Sequence, residues 1–184
     1  MKAVLVIDML NDFIDPRGAL YCGESARRII LRVRDLVDSF AAGHGLIVYL
    51  RDAHDPQDKE FQLFPPHAIA GTWGGQVIPE LTPPPGALVL DKTRFTAFYR
   101  TDLERVLAEA HPEEVWVTGV VTSICVMDTV GDLRNRDYTP VVPVDAVADF
   151  DPQFHEFALK RMERVYGAKL VGEHGVAVAM DERP

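Results

Sequence analysis

Cys125 is the residue in this chain best placed to do covalent chemistry. It lies in the run Trp116-Val117-Thr118-Gly119-Val120-Val121-Thr122-Ser123-Ile124-Cys125-Val126, where an apolar segment meets Gly119 and a polar turn before a helical pattern begins. A thiol near a helix start has backbone N–H groups and the positive end of the helix dipole close by, and both favour thiolate. Cys125 is therefore a candidate nucleophile, weighed against the alternative of a small buried hydrophobe. Asp8 follows the first apolar run and Lys92 follows the third by two residues. In an open α/β sheet, ligands bind outside the carboxyl ends of the strands, so Asp8, Lys92 and Cys125 could converge on one crevice. Taken singly, the carboxylate also reads as a turn or cap residue and the lysine as a solvated charge.

A second constellation is Asp52-Ala53-His54, followed by Glu60 and His67. Residues two apart in extended chain point the same way, so a carboxylate and an imidazole can meet one cation. Imidazole with carboxylate suits Zn²⁺, Mn²⁺ or Fe²⁺, and a site with few protein ligands leaves a position for water or substrate. Surface hydrogen bonding is the alternative for Asp-x-His alone. His44, His111, His155 and His174 lack such company and read as helix-end or surface residues.

These side chains need elements to hold them. Short Val-rich runs recur at Ala3 to Ile7, Leu46 to Leu50, Ala87 to Leu90, Val115 to Thr118, Val141 to Val144 and Lys169 to Val171, and read as buried strands. Between most of them lie helical patterns. Ile29, Ile30, Val33, Leu36, Val37 and Phe40 end at Gly43. Thr101-Asp102-Leu103-Glu104 reads as a capping box before an inner face of Leu103, Val106, Leu107 and Ala110. Asp151-Pro152 has N-cap and N1 chemistry before an apolar face of Phe154, Phe157, Ala158, Met162 and Val165. The expectation is an α/β fold with a six-stranded parallel sheet and helices on both faces. Residues 51–86 break the rhythm: they hold seven of the thirteen prolines, with Trp73, Phe64 and two histidines, and read as an ordered binding loop.

With 184 residues, 47% of them apolar, and no apolar run approaching a membrane span, the chain is expected to form one soluble domain, 1–184. The Met1-Lys2 start runs straight into a strand pattern, so no signal peptide is expected. Two cysteines are too few for a disulfide framework, which points to a reducing, cytoplasmic setting, with Cys22 a loop thiol. A net charge of −9 offers no basic stripe for nucleic acid or an anionic membrane.

Five motifs in order resemble the isochorismatase-like cysteine hydrolases, and among them the nicotinamidases. They are Asp8-Met9-Leu10-Asn11-Asp12-Phe13; Arg51-Asp52-Ala53-His54; Glu60 to His67 with Gly71-Thr72; Lys92-Thr93-Arg94-Phe95; and Gly119 to Val126. The resemblance implies a Rossmann-like three-layer fold. It makes Cys125 the nucleophile, Asp8 the general base and acid, and Lys92 the charge that holds the triad ionised. It assigns the oxyanion donors to the N–H groups of Val121 and Cys125, with a cis Val120–Val121 peptide. Asp52, His54 and His67 become ligands of one divalent metal, most readily zinc, with Glu60 a fourth, and the ion anchors the substrate ring nitrogen. Phe13, Phe64, Phe95 and Val120 match positions beside the ring, and Trp73 has no specific match. The implied reaction is hydrolysis of nicotinamide to nicotinate and ammonia through a thioester, in NAD salvage, with pyrazinamide a second substrate. The alternatives are an amidase for another small amide or carbamoyl compound, with isochorismate cleavage disfavoured by the Cys, or a non-catalytic binding protein of the same fold. A homo-oligomer is compatible with each of these readings.

Overall fold

Alternation along the first strand sets the layers of the molecule. In the computed structural model, which describes residues 1–172 and Ala177, Ala3, Leu5 and Ile7 of β1 (Lys2–Ile7) point into one apolar cluster and Val4 and Val6 into another. Successive side chains of a strand face opposite sides, so a continuous apolar run requires cover on both. The first cluster is closed by α4 (Leu103–Ala110), α5 (Met127–Asn135) and α6 (Pro152–Arg164). The second is closed by α1 (Asn11–Ile14), α2 (Glu24–Arg28) and α3 (Ile30–Ala42), the last ending at Gly43.

The remaining strands are β2 (Leu46–Asp52), β3 (Leu88–Lys92), β4 (Glu114–Val120), β5 (Pro140–Pro143), β6 (Val147–Ala148) and β7 (Lys169–Val171). They run parallel in the order β3-β2-β1-β4-β5-β7, with β6 pairing β4. The six expected strands all form. β6 is additional, and its two residues are too few to leave an apolar pattern. Strand order reverses direction at β1, so the switch point lies between β1 and β4. Ile7 is in register with Gly119 there, and on the other side Asp52 is in register with Lys92.

Some local expectations are corrected. Thr101 does not form a capping box: its Oγ1 accepts from the Leu103 N–H at 3.2 Å, Asp102 occupies the N-cap, and Glu104 pairs with Arg136. Asp151 does cap α6, accepting from the Gln153 N–H at 2.7 Å, but the buried face is Ala158, Leu159 and Met162. Phe154, Phe157 and Val165 are exposed. His155 lies on the inward side of the helix, its Nδ1 2.9 Å from Thr122 Oγ1, rather than in the surface role expected of it. His44 and His111 are exposed at helix ends as expected, and His174 lies outside the described residues. Residues 53–87 form an ordered loop with short 3-10 turns at Lys59–Gln62 and Pro79–Leu81, tied down by bridges pairing Leu10 with Val77 and His54 with Ile69. No helix among the described residues is long and apolar enough to cross a membrane.

Candidate active site

Four strand ends deliver the charged groups. Lys92 closes β3, and sheet register sets it against Asp52 at the end of β2. Its Nζ lies 2.6 Å from Asp52 Oδ1 and 2.7 Å from Asp8 Oδ2, just beyond β1. Asp8 Oδ1 in turn accepts from the Asp52 N–H at 2.9 Å. Asp8 has φ 51°, a left-handed conformation that aspartate tolerates better than most residues. From β4 comes Cys125, carried on the π-helical turn Thr122–Val126, with Sγ 3.6 Å from Lys92 Nζ. Asp8, Asp52 and Cys125 present ligand-type atoms within 4.8 Å of one another, all buried.

Gly119 makes this meeting possible. Its φ is +107°, and a Cβ there would lie 2.0 Å from the Ile7 carbonyl oxygen. β4 can therefore crowd β1 at the switch point, where the Val120–Val121 peptide is cis. The turn that follows is held from the side by Asp149, whose carboxylate accepts from the Ser123 N–H at 2.7 Å.

Environment pushes the titrating groups apart. Burial, reinforced by Asp52, lifts Asp8 to about 7 in spite of Lys92. Burial works against Asp52 too, but Lys92 and His54 hold it below the usual carboxylate range. Burial opposes the charge on Lys92, yet Asp52 and Asp8 keep it firmly protonated. The Cys125 thiol is driven well up by burial, with Lys92 pulling the other way. Burial of the residue, 6% exposed, thus opposes the thiolate that a helix terminus favours. Of the two carboxylates, Asp8 is the one poised to exchange a proton near neutrality, and Asp52 stays ionised.

Asp52 also belongs to a second group. Its Oδ2 lies 3.6 Å from His54 Nε2, and Glu60 Oε1 lies 3.8 Å from His54 Nε2 and 3.7 Å from His67 Nε2. All four residues are buried, and atoms of Asp52, His54 and His67 come within 4.8 Å of one another. His67 Nδ1 sits 2.8 Å from the Pro65 carbonyl, so it carries the hydrogen and leaves Nε2 bare. His54 Nε2 and Glu60 Oε2 have no hydrogen-bond partner. Burial lowers His67 and raises Glu60. Burial opposes a charge on His54, but Asp52, Asp58 and Glu60 raise it above the ordinary histidine value, so the carboxylates here draw positive charge toward themselves. A set of two imidazoles and two carboxylates with unpaired inward atoms fits a divalent transition metal.

Both groups open on one cleft lined by Asp52, Glu60, His67 and Cys125 together with Phe13, Leu20, Phe64, Phe95, Val121, Ile124 and Phe150. Its aromatic walls meet edge to face, with Phe13 5.4 Å from His67 and Phe64 6.3 Å from Phe95 between ring centroids. The structure thus brings Asp8, Lys92, Cys125, Asp52, His54, Glu60, His67, Phe13, Phe64, Phe95 and Val121 together. Val120 is set apart: it is fully buried among the residues that pack against α3, and Val121 and Ile124 line the cleft in its place. Trp73 lies outside the lining, its ring 5.0 Å from the Arg17 guanidinium.

Several residues carried no readable signal. Asp12 accepts from the Ala68 N–H at 2.7 Å and the Ala19 N–H at 3.0 Å, pinning the backbone beside His67. A Cβ on Gly74 would strike this carboxylate, so the loop closes over it only with glycine there. Leu20, Ile124 and Phe150 are ordinary apolar residues in sequence, and only the fold sets them at the cleft.

Comparison with known proteins agrees with this geometry. The isochorismatase domain family matches residues 2–173. A nicotinamidase from Bacillus subtilis is 38% identical, the alignment covering 94% of this chain and 99% of that one with a TM-score of 0.87. An N-carbamoylsarcosine amidase from Thermoplasma acidophilum is 32% identical, with 99% and 98% coverage and a TM-score of 0.84. A pyrazinamidase of Pyrococcus horikoshii, solved in complex with zinc, is 29% identical, with 93% and 98% coverage and a TM-score of 0.87. The chain belongs to the isochorismatase family of hydrolases.

Proposed function

We propose that the protein is a metal-dependent nicotinamidase, hydrolysing nicotinamide to nicotinate and ammonia in a single domain. One observation carries the reading: Asp52 joins the Asp8–Lys92–Cys125 group to His54, Glu60 and His67, and Cys125, Asp52, Glu60 and His67 line the same aromatic-walled cleft. A flat heteroaromatic amide has two ends that need different partners, a ring nitrogen and a carboxamide. Bound by Asp52, His54, Glu60 and His67, a divalent cation such as Zn²⁺ would supply an electrophilic anchor for the ring nitrogen. Phe13, Phe64 and Phe95 would wall the ring, stacking on its faces and excluding water.

Cys125 Sγ attacks the carboxamide carbon as Asp8 takes the thiol proton, so sulfur gains its nucleophilic charge only as the bond forms. Lys92 stabilises the carboxylates on either side throughout. The N–H groups of Val121 and Cys125 receive the negative oxygen of the tetrahedral intermediate. Asp8 then passes the proton to the departing nitrogen, the C–N bond breaks, and ammonia leaves a thioester. Water hydrolyses the thioester, giving nicotinate and restoring the thiol. The product would enter NAD salvage, and an unpaired catalytic thiol suits a reducing, cytoplasmic compartment.

Similarity to the N-carbamoylsarcosine amidase favours a second reading, a small non-aromatic carbamoyl substrate. Ammonia release decides between them. The protein should act on nicotinamide and pyrazinamide, lose that activity on chelation, and regain it with Zn²⁺, Mn²⁺ or Fe²⁺. Release from N-carbamoylsarcosine with none from nicotinamide under any metal would establish the second reading.

A further inference from the structure

The convergent donors are held from behind by a carboxylate that belongs to neither group. Asp58 Oδ2 lies 3.2 Å from His54 Nδ1, and its Oδ1 accepts from the Glu60 N–H at 2.9 Å. Arg94 donates to both oxygens at 3.1 Å. The Asp58 side chain is only 8% exposed. A carboxylate held by a guanidinium only accepts, so the hydrogen between Asp58 and His54 sits on Nδ1, and in the neutral ring that a metal ligand must be, Nε2 keeps the lone pair. That Nε2 is the atom facing Asp52 and Glu60 without a hydrogen-bond partner. The Glu60 N–H that Asp58 caps starts the turn Lys59–Gln62, so the same carboxylate sets where Glu60 enters the cluster. Arg94 is tied in turn to the neighbouring group, since its carbonyl accepts from Lys92 Nζ at 3.3 Å.

We propose that Asp58, held by Arg94, is the positioning residue of the donor cluster, selecting the Nδ1–H tautomer of His54 and placing Glu60 so that both offer bare donor atoms to a divalent cation. The inference rests on the metal reading of the cluster and adds the residue that prepares it. Partners that orient a ligating histidine are typically worth about 10–100-fold in metal affinity. The Arg94 side chain meets the donor cluster through Asp58 rather than directly, so its removal should weaken binding less.

The test uses the full chain, stripped by a chelator and then titrated with Zn²⁺ against a chromophoric competitor, as wild type, Asp58→Asn, Asp58→Ala and Arg94→Ala. Asp58→Asn keeps an oxygen able to cap the Glu60 N–H while removing the charged acceptor, so it remains informative if Asp58→Ala does not fold. The expected result is Zn²⁺ affinity about 10–100-fold lower in Asp58→Ala and about tenfold lower in Asp58→Asn. Nitrogen NMR of the metal-free protein, recorded at a pH where the His54 ring is neutral, should report the hydrogen on Nδ1 in wild type and a mixture of the two tautomers in Asp58→Asn. With metal restored, KM should rise more than kcat falls. Variants that bind Zn²⁺ as wild type does, with the His54 signals unmoved, would overturn the role of Asp58 alone. A wild type that takes up none of Zn²⁺, Mn²⁺ and Fe²⁺ would overturn the metal reading and the inference with it.

Discussion

The division of labour between two carboxylates is decided by their immediate surroundings. Asp8 and Asp52 both touch Lys92, yet burial and Asp52 lift Asp8 to about 7 while Lys92 and His54 keep Asp52 ionised. In the proposed mechanism proton transfer then belongs to Asp8, and burial of Cys125 favours its thiol over the thiolate. On this account Asp8→Asn should slow ammonia release at neutral pH by about 100-fold or more, since no group is left to carry the proton from sulfur to nitrogen. Release at the wild-type rate would take Asp8 out of the proton path. The residue types were legible in the sequence because Asp, Lys and Cys stand just past apolar runs. The state of the thiol was not, because burial and charge come from residues distant along the chain.

At the scale of the elements, a close approach and an ion-pair cluster hold the sheet in the register the site requires. Gly119 lets β4 crowd β1, so Gly119→Ala meets both a positive φ and the Ile7 carbonyl. It should cost about 3 kcal/mol or more, read from the urea midpoint, since relief requires β1 and β4 to part. At the opposite end of the sheet, Glu114 of β4 receives Lys169 of β7 at 2.8 Å and Lys2 of β1 at 2.8 Å. Lys169 and then Lys2 hold the Glu114 carboxyl down at about 2. A folded value below the unfolded one stabilises the fold above about 4.5, and that stabilisation is lost as pH falls toward 2. Glu114→Gln should therefore lower stability by about 1 kcal/mol at pH 7, with the gap to wild type closing at pH 2. The strands were readable because each is a short apolar run bounded by turn residues. The inner face of α6 was not, because Phe154 and Phe157 share the helical spacing of Ala158 and Met162, while the observed face of Ala158, Leu159 and Met162, with His155 meeting Thr122, fits the same period rotated by about one residue.

On the scale of the whole molecule, the loop of residues 53–87 is the part whose order depends most on its contents. Its composition marked it as a binding loop, but its closure rests on Asp12, Asp58 and Gly74, whose types suit any turn. It also brings two imidazoles and a carboxylate into an interior already rich in negative charge. A cation bound there stabilises the native state by mass action, by about 2.7 kcal/mol when free metal is 100-fold above Kd. The thermal midpoint should accordingly fall on chelation and recover with Zn²⁺, and a His67→Ala variant should show little of that response. Equal midpoints for metal-loaded and stripped wild type would argue that the cluster holds no ion.

Covalent chemistry at Cys125 is the claim on which the functional account depends, and a single-turnover reaction tests it most directly. Protein in excess over nicotinamide, quenched in acid within the first turnover and digested, should carry a nicotinoyl thioester on the Cys125 peptide, formed as ammonia is released. Cys125→Ala should release no ammonia and carry no adduct while still binding metal. Ammonia release by Cys125→Ala at the wild-type rate would contradict the account.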